Sequence, residues 1–170
     1  MFKYSLKKAI KKYMQIKEKQ KHYLEFRRAQ KLKIKKKTIL FESLHAKSID
    51  GHVFHLMKSL MKMDKSYKVY IVVRDIDKAK RKINNYNFEF VKNIKLVKHL
   101  SKEYGRLLAT CEFLINDNTF YPFFSKRKGQ KYFNIWHGTP LKTLGKDMGN
   151  PVGIANVQRN LLISDAIIVS

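Results

Sequence analysis

The 170-residue sequence predicts an α/β fold, in which helices cover both faces of a parallel β-sheet. Two observations predict this class. Short apolar runs alternate with segments of helical periodicity along residues 38–170, and such alternation produces a parallel sheet because each helix returns the chain to the same edge. The run YKVYIVVRD (Tyr67–Asp75) is apolar at nearly consecutive positions, which is typical of a strand buried on both faces.

In the first half of this pattern, β-rich runs alternate with helical segments. KTILFES (Lys37–Ser43) and Tyr67–Asp75 are predicted strands. GHVFHLMKSLMKM (Gly51–Met63) is a predicted helix because its apolar residues recur at helical spacing, and DKAKRKINN (Asp77–Asn85) is a short basic helix. FEFVKNIKLVKH (Phe88–His99) contributes one or two strands.

The second half continues the alternation. SKEYGRLLATC (Ser101–Cys111) is a predicted helix, since a serine with a glutamate soon after it favours a helix start. EFLIND (Glu112–Asp117) and KYFNIW (Lys131–Trp136) are predicted strands. GIANVQRNLLIS (Gly153–Ser164) is a predicted helix, and DAIIVS (Asp165–Ser170) is the last predicted strand.

The positive charge divides the chain into a basic arm, residues 1–37, and a body, residues 38–170. The net charge is +24. The arm holds 15 Lys and Arg against two acids, a net of +13, and the body holds 22 against 11. The arm lacks Gly and Pro and is rich in helix-forming residues, so it is a predicted helix.

The arm has one apolar stripe surrounded by lysines, and three interpretations of it remain open. The arm is interpreted as a solvated helix that packs on the body, as a helix that lies on an anionic membrane surface, or as a helix that binds a nucleic-acid backbone. A membrane would contact the apolar and basic side chains of Phe2, Leu6, Ile10, Lys7, Lys8, Lys11 and Lys12.

Composition excludes several classes of protein. No apolar run reaches the roughly 18 residues of a membrane-spanning helix. A single cysteine, Cys111, excludes an internal disulfide and a cysteine-based zinc site, and we interpret it as a small buried side chain. His45, His52 and His55 lack recurring carboxylate partners, so no metal site is expected. Asp50 or Ser48 is expected to cap the helix that follows.

Polar loops follow three predicted strands, and the carboxyl ends of parallel strands share one edge. The loops are ESLHAKSIDGH, NDNTFYPFFSKRKGQ and HGTPLK. In the last loop, His137 comes directly after a strand and Gly138 permits a sharp turn. Thr139 and Pro140 suit a helix start, near which Lys142 favours an anion. Residue chemistry alone leaves His137 as either a structural histidine or a general base.

A longer segment around this loop resembles a known family. KRKGQKYFNIWHGTPLKTLGKDM (Lys126–Met148) closely resembles the signature of the CDP-glycerol glycerophosphotransferases, which make teichoic acids and capsule polymers. FESLHAKS (Phe41–Ser48) is similar to the first strand and loop of this family, and NVQRNLLISDAIIVS (Asn156–Ser170) is similar to the stretch after the signature. Ala46 departs from the family, which often has glycine in this loop.

The resemblance covers residues 38–170 and implies the Rossmann-like N-terminal half of a two-domain (GT-B) transferase. Such enzymes move glycerol phosphate from CDP-glycerol to a hydroxyl of a lipid-linked polymer. His137 matches the histidine thought to activate that hydroxyl. The residues expected to bind substrate are Gly138, Thr139, Lys142, Lys47, Ser48, Lys126 and Arg127.

The resemblance also implies partners and a location. No cofactor is expected, and the donor CDP-glycerol is held mainly by the second domain of the family, which these residues do not include. The isolated chain is therefore expected to be inactive and to self-associate through an exposed domain interface. Its expected partners are a lipid-linked polyol-phosphate acceptor and the anionic cytoplasmic face of the membrane, with no specific nucleic acid. The competing hypothesis is a non-enzymatic basic module that binds membrane or nucleic acid.

Overall fold

The computed structural model describes residues 14, 20–85, 93–136 and 150–169. Within these residues, six parallel strands form one sheet in the order β3-β2-β1-β4-β5-β6. The first strand, β1, lies in the middle of the sheet. The chain adds β2 and β3 on one side of β1 and then β4, β5 and β6 on the other side, which confirms the predicted α/β class. The strands are β1 Lys35–Glu42, β2 Lys68–Val73, β3 Ile94–Lys98, β4 Cys111–Asn116, β5 Lys131–Ile135 and β6 Ala166–Ile168.

Helices cover both faces of this sheet. They are α1 (residues 20–29), α2 Gly51–Met63, α3 Ile76–Asn85, α4 Lys102–Thr110 and α5 Pro151–Ile163, with a short 3₁₀ turn at Leu44–Ala46. Residues of α2 and α3 pack on one face, and residues of α1, α4 and α5 pack on the other. In the described part of the chain, no helix is both long and apolar enough to cross a bilayer.

The predicted elements of the body are confirmed with small shifts at their ends. The bounds of α2 agree with the prediction, and most other predicted bounds shift by one or two residues. The segment Phe88–His99 provides one described strand, β3, and its residues 88–92 lie outside the described ranges.

Alternate side chains of the strands pack into two separate hydrophobic cores, one on each face of the sheet. Leu40, Val72 and Leu114 join the core beneath α1 and α4, whereas Phe41 and Ile71 join the core beneath α2 and α3. This burial on both faces explains why the strands are apolar at consecutive positions.

Cys111 begins β4 and is fully buried. Burial raises the pKa of its thiol to about 12, so the side chain behaves as a small hydrophobe, which confirms the interpretation of this residue.

The second half of the predicted basic arm packs on the body. Phe26 and Ala29 of α1 are buried in the core, and Glu25 lies 2.7 Å from Arg106 of α4 in an ion pair. The predicted helix is wrong for the end of the arm, because α1 ends at residue 29 and strand β1 begins at Lys35 and pairs with β4. Phe2, Leu6, Ile10 and the four lysines assigned to membrane contact lie outside the described residues.

Helix capping differs in part from the prediction. Ser101 caps α4, because its hydroxyl oxygen accepts a hydrogen bond of 3.1 Å from the amide of Tyr104. Asp50 occupies the N-cap position of α2 but makes no side-chain capping bond, so the predicted cap is wrong. Its carboxylate is instead engaged by the Ser48 hydroxyl and the Lys82 ammonium group.

Candidate active site at the carboxyl edge

The carboxyl edge of the sheet gathers polar side chains from several strands. Glu42 ends β1, Arg74 follows β2, His99 follows β3 and Asp117 follows β4. The backbone of Trp136, directly after β5, donates a hydrogen bond of 2.8 Å to the Ile168 carbonyl. The topology therefore brings residues far apart in sequence to one edge, where ligands bind in sheets of this type.

The loop after β1 has an unusual backbone. Leu44, His45 and Ala46 are consecutive non-glycine residues with φ values of 46°, 52° and 62°. This left-handed region is strained for side chains with a Cβ and favours glycine. Ala46 thus has the backbone conformation that glycine adopts most easily, and glycine is common in this loop of the family that the sequence resembles.

Two residues from neighbouring loops, Asp117 and Arg74, hold this strained turn in place through hydrogen bonds. The carboxylate of Asp117 accepts hydrogen bonds from the Ser43 hydroxyl at 2.5 Å and from the Leu44 amide at 2.8 Å. Arg74 donates from its backbone to the Ala46 carbonyl at 2.9 Å and from Nε to the His45 carbonyl at 3.0 Å. The turn is therefore held in one conformation by contacts from β2 and β4.

A cavity of about 330 Å³ opens between this loop and the loop from β2 to α3. Its lining carries four cationic and two acidic side chains: Lys47, Arg74, Lys78, Lys82, Asp50 and Asp75. Both acids are already engaged, Asp50 by Lys82 and Asp75 by the Lys78 amide at 2.9 Å. With four cations against two carboxylates, the lining of the cavity carries a net positive charge.

A buried group of ionisable side chains lies at the same edge. His99 Nε2 is 3.9 Å from Glu42 Oε1, and the two side chains are 6% and 2% exposed. Burial raises the pKa of Glu42 to about 7, and the Tyr104 hydroxyl opposes this. Burial and the nearby Arg74 lower the pKa of His99 to about 4, and burial also lowers the pKa of His45.

A second polar network connects α5 to the sheet and the loop after β4. The Tyr132 hydroxyl donates to Asn116 Oδ1 at 2.9 Å, and Asn134 Nδ2 donates to the same oxygen at 3.0 Å. Asn160 Oδ1 accepts from the Phe120 amide at 2.9 Å, and Arg159 donates to the Tyr121 carbonyl at 2.9 Å. These bonds fix the start of the loop from β4 to β5.

The structure separates the predicted substrate-binding residues into two places. Lys47 and Ser48 line the cavity at the carboxyl edge. Lys126 instead forms a 2.8 Å ion pair with Asp165, before β6. Arg127 donates to the carbonyls of Ala109 at 2.7 Å and Leu32 at 2.8 Å, near the starts of β4 and β1.

The expectation that the whole loop of residues 116–130 opens at the carboxyl edge is wrong. The loop begins there but must return to the amino edge before β5 starts at Lys131, because β5 is parallel to β4. The contacts of Lys126 and Arg127 at that opposite edge indicate a structural role.

The signature residues His137, Gly138, Thr139 and Lys142 lie outside the described residues. The described range that precedes them ends at Trp136, directly after β5. His52 and His55 are exposed on α2. Across the described ranges, no group of three or more His, Cys, Asp or Glu side chains is arranged to hold a metal ion.

Sequence reasoning missed four residues of this edge, namely Glu42, Arg74, His99 and Asp117. One signal was available: each ends a parallel strand or follows one directly, where site residues of such sheets concentrate. Their mutual contacts depend on tertiary structure and have no local sequence pattern.

The family resemblance is confirmed by sequence comparison. The family model for CDP-Glycerol:Poly(glycerophosphate) glycerophosphotransferase matches residues 24–170. The teichoic acid poly(glycerol phosphate) polymerase of Bacillus subtilis (strain 168) is 27% identical over 124 residues, which are 72% of this chain and 15% of the relative. A polymerase of the same name from Staphylococcus epidermidis is 26% identical over 115 residues, which are 68% of this chain and 15% of the relative.

Solved structures of the wall teichoic acid polymerase TagF share the fold. One has a TM-score of 0.72 and 21% identity, and the match covers 98% of this chain and 40% of that one. A histidine-to-asparagine variant with CDPG has a TM-score of 0.74 and 22% identity, covering 98% and 42%. In the two curated relatives, the residues that align with this chain make up about 15% of the length of the relative. Since the family model matches most of its residues, this chain belongs to the CDP-glycerol:poly(glycerophosphate) glycerophosphotransferase family of transferases.

Proposed function

We propose that the body forms the acceptor-side domain of a CDP-glycerol glycerophosphotransferase, with His137 as the general base. The enzyme transfers glycerol phosphate from CDP-glycerol to a hydroxyl of a lipid-linked teichoic acid or capsule polymer. The observation that carries this proposal is the position of WHGTPLK, which follows β5 in a doubly wound sheet whose residues 24–170 match the family model.

The proposed reaction is a displacement at phosphorus. His137 accepts the proton of the acceptor hydroxyl, whose oxygen then forms a bond to the phosphorus that carries glycerol. The bond from that phosphorus to the CMP oxygen breaks, and CMP leaves. A positioned general base contributes about 10²–10⁴-fold to the rate of such a step. Gly138, Thr139 and Lys142 are proposed to position the phosphate.

We assign donor binding mainly to parts of the family that these residues do not span. The sequence carries no glycine-rich phosphate loop of the G-x-G-x-x-G type, and transferases of two-domain design hold ligands in the cleft between domains. Exposed apolar side chains of α5 and β6, including Leu162 and Ile168, provide a surface for such a domain. In the isolated chain this surface supports self-association, which light scattering at increasing concentration measures.

The test is glycerol phosphate incorporation by a chimaera in which residues 24–170 replace the matching segment of the Bacillus subtilis polymerase. We expect activity from this chimaera and a loss of about 10²–10⁴-fold in kcat with His137→Ala. The matched control is His55→Ala, which removes an exposed histidine on α2 and leaves activity unchanged.

The same experiment tests the assignment of the donor. The isolated chain is expected neither to transfer glycerol phosphate nor to bind millimolar CDP-glycerol in a calorimetric titration. Activity of His137→Ala within a few-fold of the unchanged chimaera would remove His137 as the base. Saturable micromolar binding of CDP-glycerol by the isolated chain would move the donor site into this domain.

We propose that the protein acts peripherally at the cytoplasmic face of the membrane, where a lipid-linked acceptor is located. The support is the apolar stripe and the excess of lysine in residues 1–37, with a net charge of +13. Lysine-rich amphipathic helices bind anionic lipid through burial of the apolar face and attraction of the basic face. Sedimentation with lipid vesicles measures this binding.

A further inference from the structure

We propose that the cavity between the β1–α2 and β2–α3 loops binds phosphodiester groups of the acceptor polymer, behind the hydroxyl that reacts. This inference rests on the proposed function, because it assumes that the acceptor is a polyol phosphate. It adds a second binding site on the domain, and it predicts that acceptors with several phosphates bind better than those with one.

The first argument is the shape of the cavity. Its volume of about 330 Å³ exceeds what one phosphate group fills, so it accommodates a phosphodiester with its neighbouring glycerol. The inner wall is apolar and buried, with Ile49, Val73 and Ala79. The rim includes the strained turn that Asp117 and Arg74 fix, so the opening exists before any ligand arrives.

The second argument is the charge of the lining. Asp50 is engaged by Lys82 and Ser48, and Asp75 accepts a hydrogen bond from the Lys78 amide in the first turn of α3. Among the described residues, the ammonium groups of Lys47 and Lys78 have no carboxylate partner. Positive charge in a concave site attracts anions more strongly than the same charge on an open surface.

The guanidinium group of Arg74 adds directional hydrogen-bond donors to the positively charged lining of the cavity. Its Nε is used by the His45 carbonyl, which orients the guanidinium at the cavity wall. Among the described residues, the hydrogen bonds that Arg74 donates leave from its Nε and its backbone amide, and we assign its terminal N–H groups to the ligand. A guanidinium donates two parallel hydrogen bonds to phosphate oxygens, which suits a phosphodiester better than a carbonyl or hydroxyl ligand.

The third argument is the position of the cavity along the edge. In the sheet order, β1 and β4 separate β2 from β5, which is three strand spacings or about 14 Å at about 4.8 Å each. The signature follows β5, whereas the cavity lies beside the ends of β1 and β2. A polymer whose terminal hydroxyl reacts near β5 therefore reaches the cavity with earlier repeat units.

The experiment titrates the full 170-residue chain with glycerol phosphate oligomers of increasing length. The cavity variant is Lys47→Gln with Lys78→Gln. The matched control is Lys65→Gln with Lys68→Gln, which removes the same charge at a basic cavity of about 470 Å³ beside the start of β2. All three proteins keep the basic arm, so its contribution to binding is common to them.

We expect affinity to rise with the number of phosphates, and we expect the cavity variant to lose about tenfold or more in affinity for a trimer. The control should stay within about twofold at the same ionic strength. Equal losses in the two variants, or no oligomer binding at millimolar concentration by the unchanged chain, would overturn the proposal.

Three further probes distinguish the sources of the phosphate: CDP-glycerol, inorganic phosphate and vesicles with anionic lipid headgroups. The unchanged chain is expected not to bind CDP-glycerol, and CDP-glycerol binding that the cavity variant loses contradicts an acceptor site. A loss by the cavity variant that is larger for inorganic phosphate or for vesicles than for the trimer contradicts it as well. The transfer assay with His137→Ala is independent of this result. If the cavity fails and His137 remains essential, the proposed function stands without this second site.

Discussion

Glu42 and His99 are ionisable residues that the fold buries next to each other, and their effects on stability oppose one another. Glu42 has a pKa of about 7 in the folded protein against 4.5 for the free side chain. The unfolded chain therefore releases this proton first, and stability falls as the pH rises from about 4.5 to 7. His99 has a pKa of about 4 against 6.5, so stability falls as the pH drops from about 6.5 to 4.

We predict that separating the pair exposes each pH dependence. In Glu42→Gln, His99 is the member of the pair that still titrates. The free energy of unfolding should therefore rise with pH between about 4 and 6.5. One ionisable group changes this free energy by at most about 1.4 kcal/mol per pH unit. In His99→Gln the free energy of unfolding should fall between about 4.5 and 7. Urea unfolding at several pH values measures both slopes. Each slope is compared with that of the unchanged protein, because all three proteins contain the other charged and ionisable groups near the pair, namely Arg74, Asp117, His45 and His22. Three parallel profiles would contradict the prediction.

Neither member of this pair was identifiable from the sequence. Glu42 ends the apolar run of β1, and His99 ends a segment whose strand content was ambiguous. Their pKa shifts result from burial and from Arg74, which reach them only after β1, β2 and β3 have assembled. The strand pattern predicted which residues would lie at the carboxyl edge of the sheet, but tertiary contacts decide which of their side chains interact.

At the scale of elements, α4 approaches α1 so closely that a glycine is required. A Cβ placed on Gly105 would lie 2.1 Å from the His22 carbonyl oxygen, which belongs to the backbone of α1 and cannot rotate away. Alanine improves intrinsic helix stability over glycine by about 1 kcal/mol, but forced overpacking costs about 1–3 kcal/mol or more.

We therefore predict that Gly105→Ala lowers the free energy of unfolding by about 1–3 kcal/mol and loosens α1. The matched control is Gly153→Ala in α5, where the nearest atom is the side-chain Nδ2 of Asn150 at 3.3 Å. That side chain can shift, so the control should change stability little. Urea unfolding measures the loss, and hydrogen exchange of residues 20–29 reports the loosening. A Gly105→Ala protein as stable as the control would show that the two helices separate without loss.

The elements themselves were predictable because local patterns determine them. Helix α2 and strand β2 are defined by apolar spacing within a few turns of chain, so their bounds agree with the prediction closely. The left-handed turn at Leu44–Ala46 was not predictable, since no glycine marks it and its hydrogen bonds come from Arg74 and Asp117. The return of the loop before β5 to the amino edge follows from the parallel strands that the sequence predicts. The hydrogen bonds from Arg127 to the distant carbonyls of Ala109 and Leu32 depend on tertiary structure and were not predictable.

At the scale of the whole molecule, the positive charge is distributed unequally between the arm and the body. The body shares a net charge of +11 among 133 residues, whereas 37 residues of the arm hold +13. Of the arm, α1 is committed to packing on the body through Phe26 and Ala29. Seven of the 13 lysines of the arm precede α1 in the sequence, and they include the four assigned to membrane contact.

We predict that the chain binds anionic vesicles in a salt-sensitive manner and that the first residues dominate this binding. Removing four charges as Lys7→Gln, Lys8→Gln, Lys11→Gln and Lys12→Gln should weaken partitioning about a hundredfold or more, since each lysine near an anionic surface contributes about 1 kcal/mol. The matched control removes four exposed lysines of the body, at Lys62, Lys80, Lys102 and Lys128, and should weaken it much less. Co-sedimentation with anionic and neutral vesicles at low and high salt measures both variants. Equal losses would show that total charge matters rather than the arm, and tighter binding to duplex DNA than to vesicles would favour a nucleic-acid partner for this segment.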